Sequence, residues 1–277
     1  LEAEDRWILS KFNTVVKEVT ENMERYELGI AAQKVYDFIW DSYCDWYIEL
    51  CKTRLQGNNE EAKLVAQKVL CWILTETLKL LHPFMPFLTE EIWQALPHDG
   101  DFLITSSWPE YDPTHCFEKE EKDMECVMAA IKAVRAQRAE KNVPPSKKTH
   151  LYIETAMKDT FEAGRPFLMK LAYASDVTVG DTSPENAAEM VTAITTDAKL
   201  YMPLAELVDI DKELERMSKE LRKAQADFER INGKLSNEGF ISRAPEQVVA
   251  AEREKAAKLT ALIENLNTGI KNLEMMR

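Results

Sequence analysis

The chain has 277 residues, 45% hydrophobic and 30% charged, enough apolar material for two or three folded units. Its formal net charge is −13, and no apolar run reaches the ~18–20 residues that a membrane-spanning helix needs. Five cysteines (44, 51, 71, 116 and 126) form an odd set without a Cys-x-x-Cys pair, which argues against a zinc site or disulfide framework and for a reducing cytoplasm.

Leu1-Glu2-Ala3-Glu4-Asp5 enters a helix directly, without Met or a signal peptide, as expected of a piece of a longer chain. Ile8, Phe12, Val15, Val19, Met23 and Tyr26 then make one helical stripe. The next helix, about 30–55, carries Tyr36, Phe38, Trp40, Tyr43, Trp46 and Tyr47 on several faces, which suits a central position. Gln56-Gly57-Asn58-Asn59 ends it. A third helix spans about 60–81, His82-Pro83-Phe84-Met85-Pro86-Phe87 breaks it, and a short fourth helix starts at Thr89-Glu90-Glu91. After a loop over 99–114, residues 118–142 read as another helix, with Arg135, Arg138 and Lys141 as a basic stripe.

The period then changes. Strands are expected at 149–154 and 176–179, with a helix over 158–174 between them that Gly164 and Pro166 interrupt or delay, and a hairpin over 190–202. Beyond Pro203-Leu204, apolar residues fall at Leu207, Ile210, Leu214, Met217, Leu221, Ala224, Phe228, Ile231 and Leu235, alternating steps of three and four. That is a heptad seam. Ser236-Asn237-Glu238-Gly239 breaks it and Ala244-Pro245 restarts it. A second seam runs through Val249, Ala256, Leu259, Ile263, Leu266, Ile270 and Leu273, with Glu252 its one polar member. Pairing Leu235 with Val249, Phe228 with Ala256, Leu221 with Ile263 and Leu214 with Ile270 keeps a constant sum of position numbers. Such a constant sum describes an antiparallel hairpin, and helices of roughly 30 residues give an arm about 45 Å long. The fold expected is mainly α: a helical bundle over 1–145, a small α+β module over 146–204, and a coiled-coil arm over 205–277.

The charge is uneven. Residues 85–127 hold 2 Lys/Arg against 11 Asp/Glu, whereas residues 128–150 hold 6 against 1, and residues 206–277 hold 13 against 14. Local basic stripes of this kind can still bind a polyanion. No glycine-rich phosphate loop, Gly-x-Ser-x-Gly or paired His/Cys ligand set is present, so no catalytic and no metal-binding residue is assigned.

Several blocks, in order, resemble the C-terminal part of the valyl-tRNA synthetase family. They are Asp5-Arg6-Trp7-Ile8-Leu9-Ser10, Val35-Tyr36-Asp37-Phe38-Ile39-Trp40, Cys44-Asp45-Trp46-Tyr47-Ile48-Glu49, and Leu80 through Trp93 around Pro83-Phe84-Met85-Pro86-Phe87. Ile131 to Lys148 follows, then Pro203-Leu204-Ala205, Lys234 through Phe240, and Ala244 through Val249. The Pro-Phe-Met-Pro-Phe block is shared with isoleucyl and leucyl relatives; the arm is what points to valine. Arg216-Met217-Ser218-Lys219-Glu220 superficially resembles the Lys-Met-Ser-Lys-Ser loop of the class, but Met217 is a seam residue and no nucleotide-binding fold surrounds it.

The resemblance implies a tRNA-holding region, with valine tRNA as partner and with catalytic and editing domains upstream in the same chain. ATP and magnesium would serve that upstream catalytic domain, and this stretch would hold no cofactor and act as a cytoplasmic monomer. It places Cys44 and Ile48 at anticodon bases, with Lys52 and Arg54 at phosphates. A further aromatic that stacks on an anticodon base is expected upstream of Leu1. On the arm, the tRNA elbow falls to Arg230 and Lys255, which also face one another in the hairpin register. Arg135, Arg138 and Lys141 are assigned to the tRNA backbone. The competing expectation is a non-catalytic helical module whose seam pairs with another protein.

Overall fold

The computed structural model describes residues 1–207, 210–236 and 246–275. The chain forms two compact units. The first comprises Leu1–Lys132, Thr155–Ala172 and Thr195–Ala198; the second comprises Ala133–Glu154, Tyr173–Ile194 and Lys199–Arg277.

In the first unit, α1 (Ala3–Glu24) buries Trp7, Ile8, Phe12, Val16 and Val19. Glu2 and Asp5 close a capping box at its start. The helix ends before Tyr26, which takes a left-handed φ of 60° and is exposed, so the expected stripe stops short of it. Next come α2 (Leu28–Asp37), a π-helical segment (Phe38–Tyr47) and α3 (Ile48–Leu55) without a break. The Ile48 N–H bonds to the Tyr43 carbonyl, five residues back. The extra residue per turn shifts the phase: Phe38 and Tyr43, five apart, are both buried, while Tyr36 and Trp40 are exposed. The aromatics on several faces therefore reflect a change of helical period as much as a central position.

Asn59 caps α4 (Glu60–Leu81) by accepting from the Glu61 and Ala62 N–H groups. Helix α5 (Pro86–Gln94) starts three residues earlier than expected, because Pro86 sits at its first turn, where the missing N–H costs nothing. Thr89 is inside this helix; its hydroxyl donates to the Met85 carbonyl and meets His82 Nδ1. Leu78, Trp93 and Leu103 form a small core with α4.

Helix α6 (Glu118–Glu140) leads to β1 (Thr149–Thr155). The helix over 158–174 is interrupted at Gly164, as expected, into α7 (Lys158–Ala163) and α8 (Arg165–Leu171), with Pro166 in the first turn of α8. A Cβ on Gly164 would lie 2.6 Å from Val127 Cγ2, so only glycine permits this approach of α6.

In the second unit, β1 pairs in parallel with β2 (Ala174–Gly180), and β3 (Met190–Ile194) pairs antiparallel with β4 (Ala198–Pro203). The sheet order is β2-β1-β4-β3. Burial alternates strictly along β1, with Leu151 and Ile153 inward. The short α9 (Leu204–Leu207) is tied to β1: Glu206 accepts from Thr149 Oγ1 at 2.9 Å and from the His150 N–H at 2.7 Å.

The arm consists of α10 (Ile210–Leu235) and α11 (Glu246–Met275). Leu207, Ala224, Ile231, Val249 and Leu266 are buried, and the other seam residues with described side chains are half-buried. Lys234 meets Glu252, and Met217 packs where a Cβ on Gly269 would stand 2.5 Å from its Cε, so the helices run antiparallel. The expected break at Asn237–Gly239 and restart at Ala244–Pro245 lie outside the described residues.

The two close glycines make opposite predictions. Gly164→Ala forces a methyl onto the stiff, branched Val127 and should cost about 1–3 kcal/mol. Gly269→Ala meets only the flexible end of Met217 and gains helix propensity, so stability should hold or rise by up to about 1 kcal/mol. Urea midpoints of the two variants check this.

Candidate nucleic-acid interface

The residues assigned to the anticodon lie on the π segment and α3. Cys44 and Ile48 are half-buried, and burial together with the neighbouring Asp45 carboxylate pushes the Cys44 thiol up, so it stays neutral. Ile48 and Lys52 stand one turn apart on α3, and the Lys52 ammonium pairs with Glu49. These three side chains offer a small apolar surface beside one cation.

Arg54 points elsewhere. Its side chain is 11% exposed and its guanidinium grips Asp5, with Nη1 at 2.8 Å from Oδ2 and Nη2 on Oδ1. Its Nε lies 3.0 Å from Glu4 Oε1. Tyr47 donates its hydroxyl to Asp5 at 2.7 Å, and the Glu2 N–H donates at 3.0 Å. Burial alone would raise the Asp5 carboxyl, but the bonds from Arg54 and Tyr47 outweigh it and hold Asp5 below the usual carboxylate range. Glu4 goes the other way: burial raises it, against the pull of Arg54. Desolvation would lower Arg54, and its two carboxylates raise it instead. The residue expected at phosphates is a clamp inside the bundle, because two buried carboxylates need a counter-charge.

Two cations that the sequence did not single out come near this helix. Lys132 lies 5.5 Å over the Trp46 ring, and Lys170 Nζ is 3.4 Å from Thr53 Oγ1. Both are distant in sequence from α3, so no spacing rule could have found them.

The stripe Arg135, Arg138 and Lys141 divides. Arg138 is 3% exposed; its Nη2 donates to the Pro144 carbonyl at 3.0 Å and to the Lys147 carbonyl. Burial lowers its pKa. It sits 5.4 Å over the Tyr173 ring, and Arg135, which is exposed, lies 5.9 Å over the same ring. Arg138 therefore holds the 144–147 turn, while Arg135 and Lys141 stay on the surface.

On the arm, Arg230 and Lys255 are both exposed, at 71% and 60%. Arg230 pairs with Asp227 at 2.9 Å and Lys255 with Glu252 at 3.1 Å. The Lys255 bond, reinforced by Lys234 and Arg230, holds the Glu252 carboxyl below its ordinary range. Among the described residues, no group of three or more His, Cys, Asp or Glu is placed to hold a metal ion.

Replacing Arg54 separates clamp from ligand. Arg54→Met leaves Asp5 and Glu4 buried without a cation and should cost about 3–5 kcal/mol at pH 7. Loss of Arg54 removes the largest charge that favours the ionised form of both carboxyls, so their folded-state pKa values rise and the loss should shrink as pH falls through the carboxylate range. Urea melts between pH 4 and 7 check this; unchanged stability with weakened RNA binding would return Arg54 to the surface role.

The sequence matches the family described as "Anticodon-binding domain of tRNA ligase" over residues 5–153, and "Valyl tRNA synthetase tRNA binding arm" over residues 209–274. A valine–tRNA ligase of Clostridium acetobutylicum is 48% identical over 98% of this chain. That of Clostridium perfringens is 47% identical over 98%, and that of Bacillus subtilis 41% identical over 91%. The chain spans 31%, 31% and 29% of the length of these three relatives. The first match covers the helices of the bundle and the second covers the antiparallel helix pair, so the chain belongs to the anticodon-binding domain family of tRNA ligases, in the branch where valyl-tRNA synthetases add their tRNA-binding arm.

Proposed function

We propose that this chain holds valine tRNA for a valine–tRNA ligase, with the helical bundle at the anticodon and the arm at the tRNA elbow. The observation that carries this reading is the presence, in one chain, of an anticodon-binding match and a valyl-type arm match, each falling on its own helical element. Attachment of valine to tRNA, with ATP and magnesium, belongs to catalytic and editing domains elsewhere in the same polypeptide. This stretch contributes affinity and position, and it works as a cytoplasmic monomer without a cofactor of its own.

The chemistry follows from the surfaces. Anticodon bases are unstacked, so their edges and faces are open to side chains. Cys44 and Ile48 supply a small apolar contact there, and Lys52 supplies a charge for a neighbouring phosphate. A stacked single-stranded base is worth roughly 1–3 kcal/mol. The arm brings its cations to the corner of the tRNA through a helix pair whose seam is packed before binding, so little ordering cost remains. Arg135 and Lys141 are assigned to the tRNA backbone; Arg138 supports the turn next to them.

Filter binding of this chain to valine tRNA tests the reading. Affinity should fall linearly with log salt, because neutralised phosphates release counterions. A tRNA with an altered anticodon should bind less tightly. Arg230→Glu combined with Lys255→Glu should weaken binding about tenfold or more while circular dichroism stays unchanged. Equal affinity of the double variant at moderate salt would remove the arm from the interface. A tRNA-independent dimer in sedimentation, lost in Leu221→Asp, would favour a protein-pairing module instead.

A further inference from the structure

The seam of the arm has one polar member, Glu252, and the structure shows what it does there. A carboxylate in a heptad seam costs stability unless it finds partners. The Glu252 side chain is 12% exposed and has two such partners. Lys255 reaches it from its own helix at 3.1 Å, and Lys234 reaches it across the pair from α10 at 3.8 Å. Arg230 stands one turn before Lys234, about 6 Å along the axis at 1.5 Å per residue, where it pairs with Asp227 at 2.9 Å and its charge helps to hold the Glu252 carboxyl down. Two cations from two helices thus converge on one mostly covered negative charge, with Arg230 beside them on Asp227, while all three side chains stay open, at 71% for Arg230, 50% for Lys234 and 60% for Lys255.

The register explains why Lys234 belongs with the other two. Arg230 and Lys234 are four apart on α10 and share a face. Lys255 lies opposite them on α11, one turn beyond Glu252. A single basic pair can hold one phosphate. Two lysines held on Glu252 and Arg230 held on Asp227 one turn away make a cationic patch that spans both helices, with its side chains already positioned before RNA arrives.

We infer that Lys234 is a third phosphate-binding residue of the arm, held with Lys255 on Glu252 and forming with the neighbouring Arg230 one cationic patch that takes adjacent phosphates of the tRNA backbone. The inference rests on the reading of the arm as a tRNA-binding element, and it adds a residue and a geometry to that reading.

The test measures the salt dependence of tRNA binding by this chain for four single variants: Arg230→Gln, Lys234→Gln, Lys255→Gln and Lys219→Gln. Lys219 is an exposed lysine on α10, 15 residues from Lys234, or about 22 Å along the helix. It carries the same charge change without the patch. Loss of one phosphate contact should make the slope of log affinity against log salt shallower by about 0.7 to 0.9. Lys234→Gln should show that change with a weakening of about threefold or more, as should Arg230→Gln and Lys255→Gln. Lys219→Gln should leave the slope unchanged, and circular dichroism should confirm that all four arms stay helical. If Lys234→Gln behaves like Lys219→Gln while the other two weaken binding, the inference fails and the arm reading stands. If none of the four has an effect, the arm reading fails with it. If all four lose equally, attraction is diffuse and no patch exists.

Discussion

The bundle depends on one buried carboxylate. Asp5 is fully covered by protein, and in that environment an isolated charge would be expelled or neutralised. It stays ionised because Arg54, Tyr47 and the Glu2 N–H all donate to it. Those partners come from the start of α1, from the π segment and from α3, so a single satisfied charge ties together three parts of the chain. The same bonds set the rotation of α3. With Arg54 held inward, Cys51 is covered and its thiol pushed up to about 11, while Ile48 and Lys52 keep part of their surface toward solvent. The candidate anticodon residues Cys44, Ile48 and Lys52 are thus presented by a helix whose orientation is set by electrostatics as well as by apolar packing.

The arm solves a different problem. A helix with a narrow apolar stripe cannot bury that stripe alone, and pairing with a second stripe of matching period is the simplest remedy. The pairing is close where it is made of small against large residues, as at Gly269 and Met217. It is interrupted at Glu252, and there the charges of both helices gather. Structural irregularity and candidate chemistry coincide at that point. A seam of uniform apolar residues would hold the helices together equally well and would leave the cations of the two helices unconnected.

Net charge is a poor guide to such a protein. An overall −13 describes acidic stretches like 85–127, whereas the residues that could meet a polyanion are few and local. Burial sorts them further. Of the cations singled out by spacing or resemblance, Arg54 and Arg138 are turned into the protein, one toward carboxylates and the other toward carbonyls. Arg135, Lys141, Arg230 and Lys255 remain outside. A basic residue in a stripe is as readily a brace as a ligand, and the difference is whether acceptors wait for it inside.

The sequence by itself determined the helices, their approximate limits and the antiparallel register of the arm, because those rest on local periods: three and four for a helix, two for β1, and a constant sum for facing seams. It also determined the family, through blocks of residues that need no coordinates. It carried no sign of the π segment, since one extra residue per turn leaves no period that short runs of aromatics can reveal. It marked a break at Gly164, but it did not show that Val127 stands against that glycine, that Arg54 faces Asp5, 49 positions away, or that Lys132 and Lys170 approach the π segment and α3. Those facts depend on which groups meet across the fold. The direction of a charged side chain is decided by partners far away in the chain, and only the tertiary structure brings them within reach.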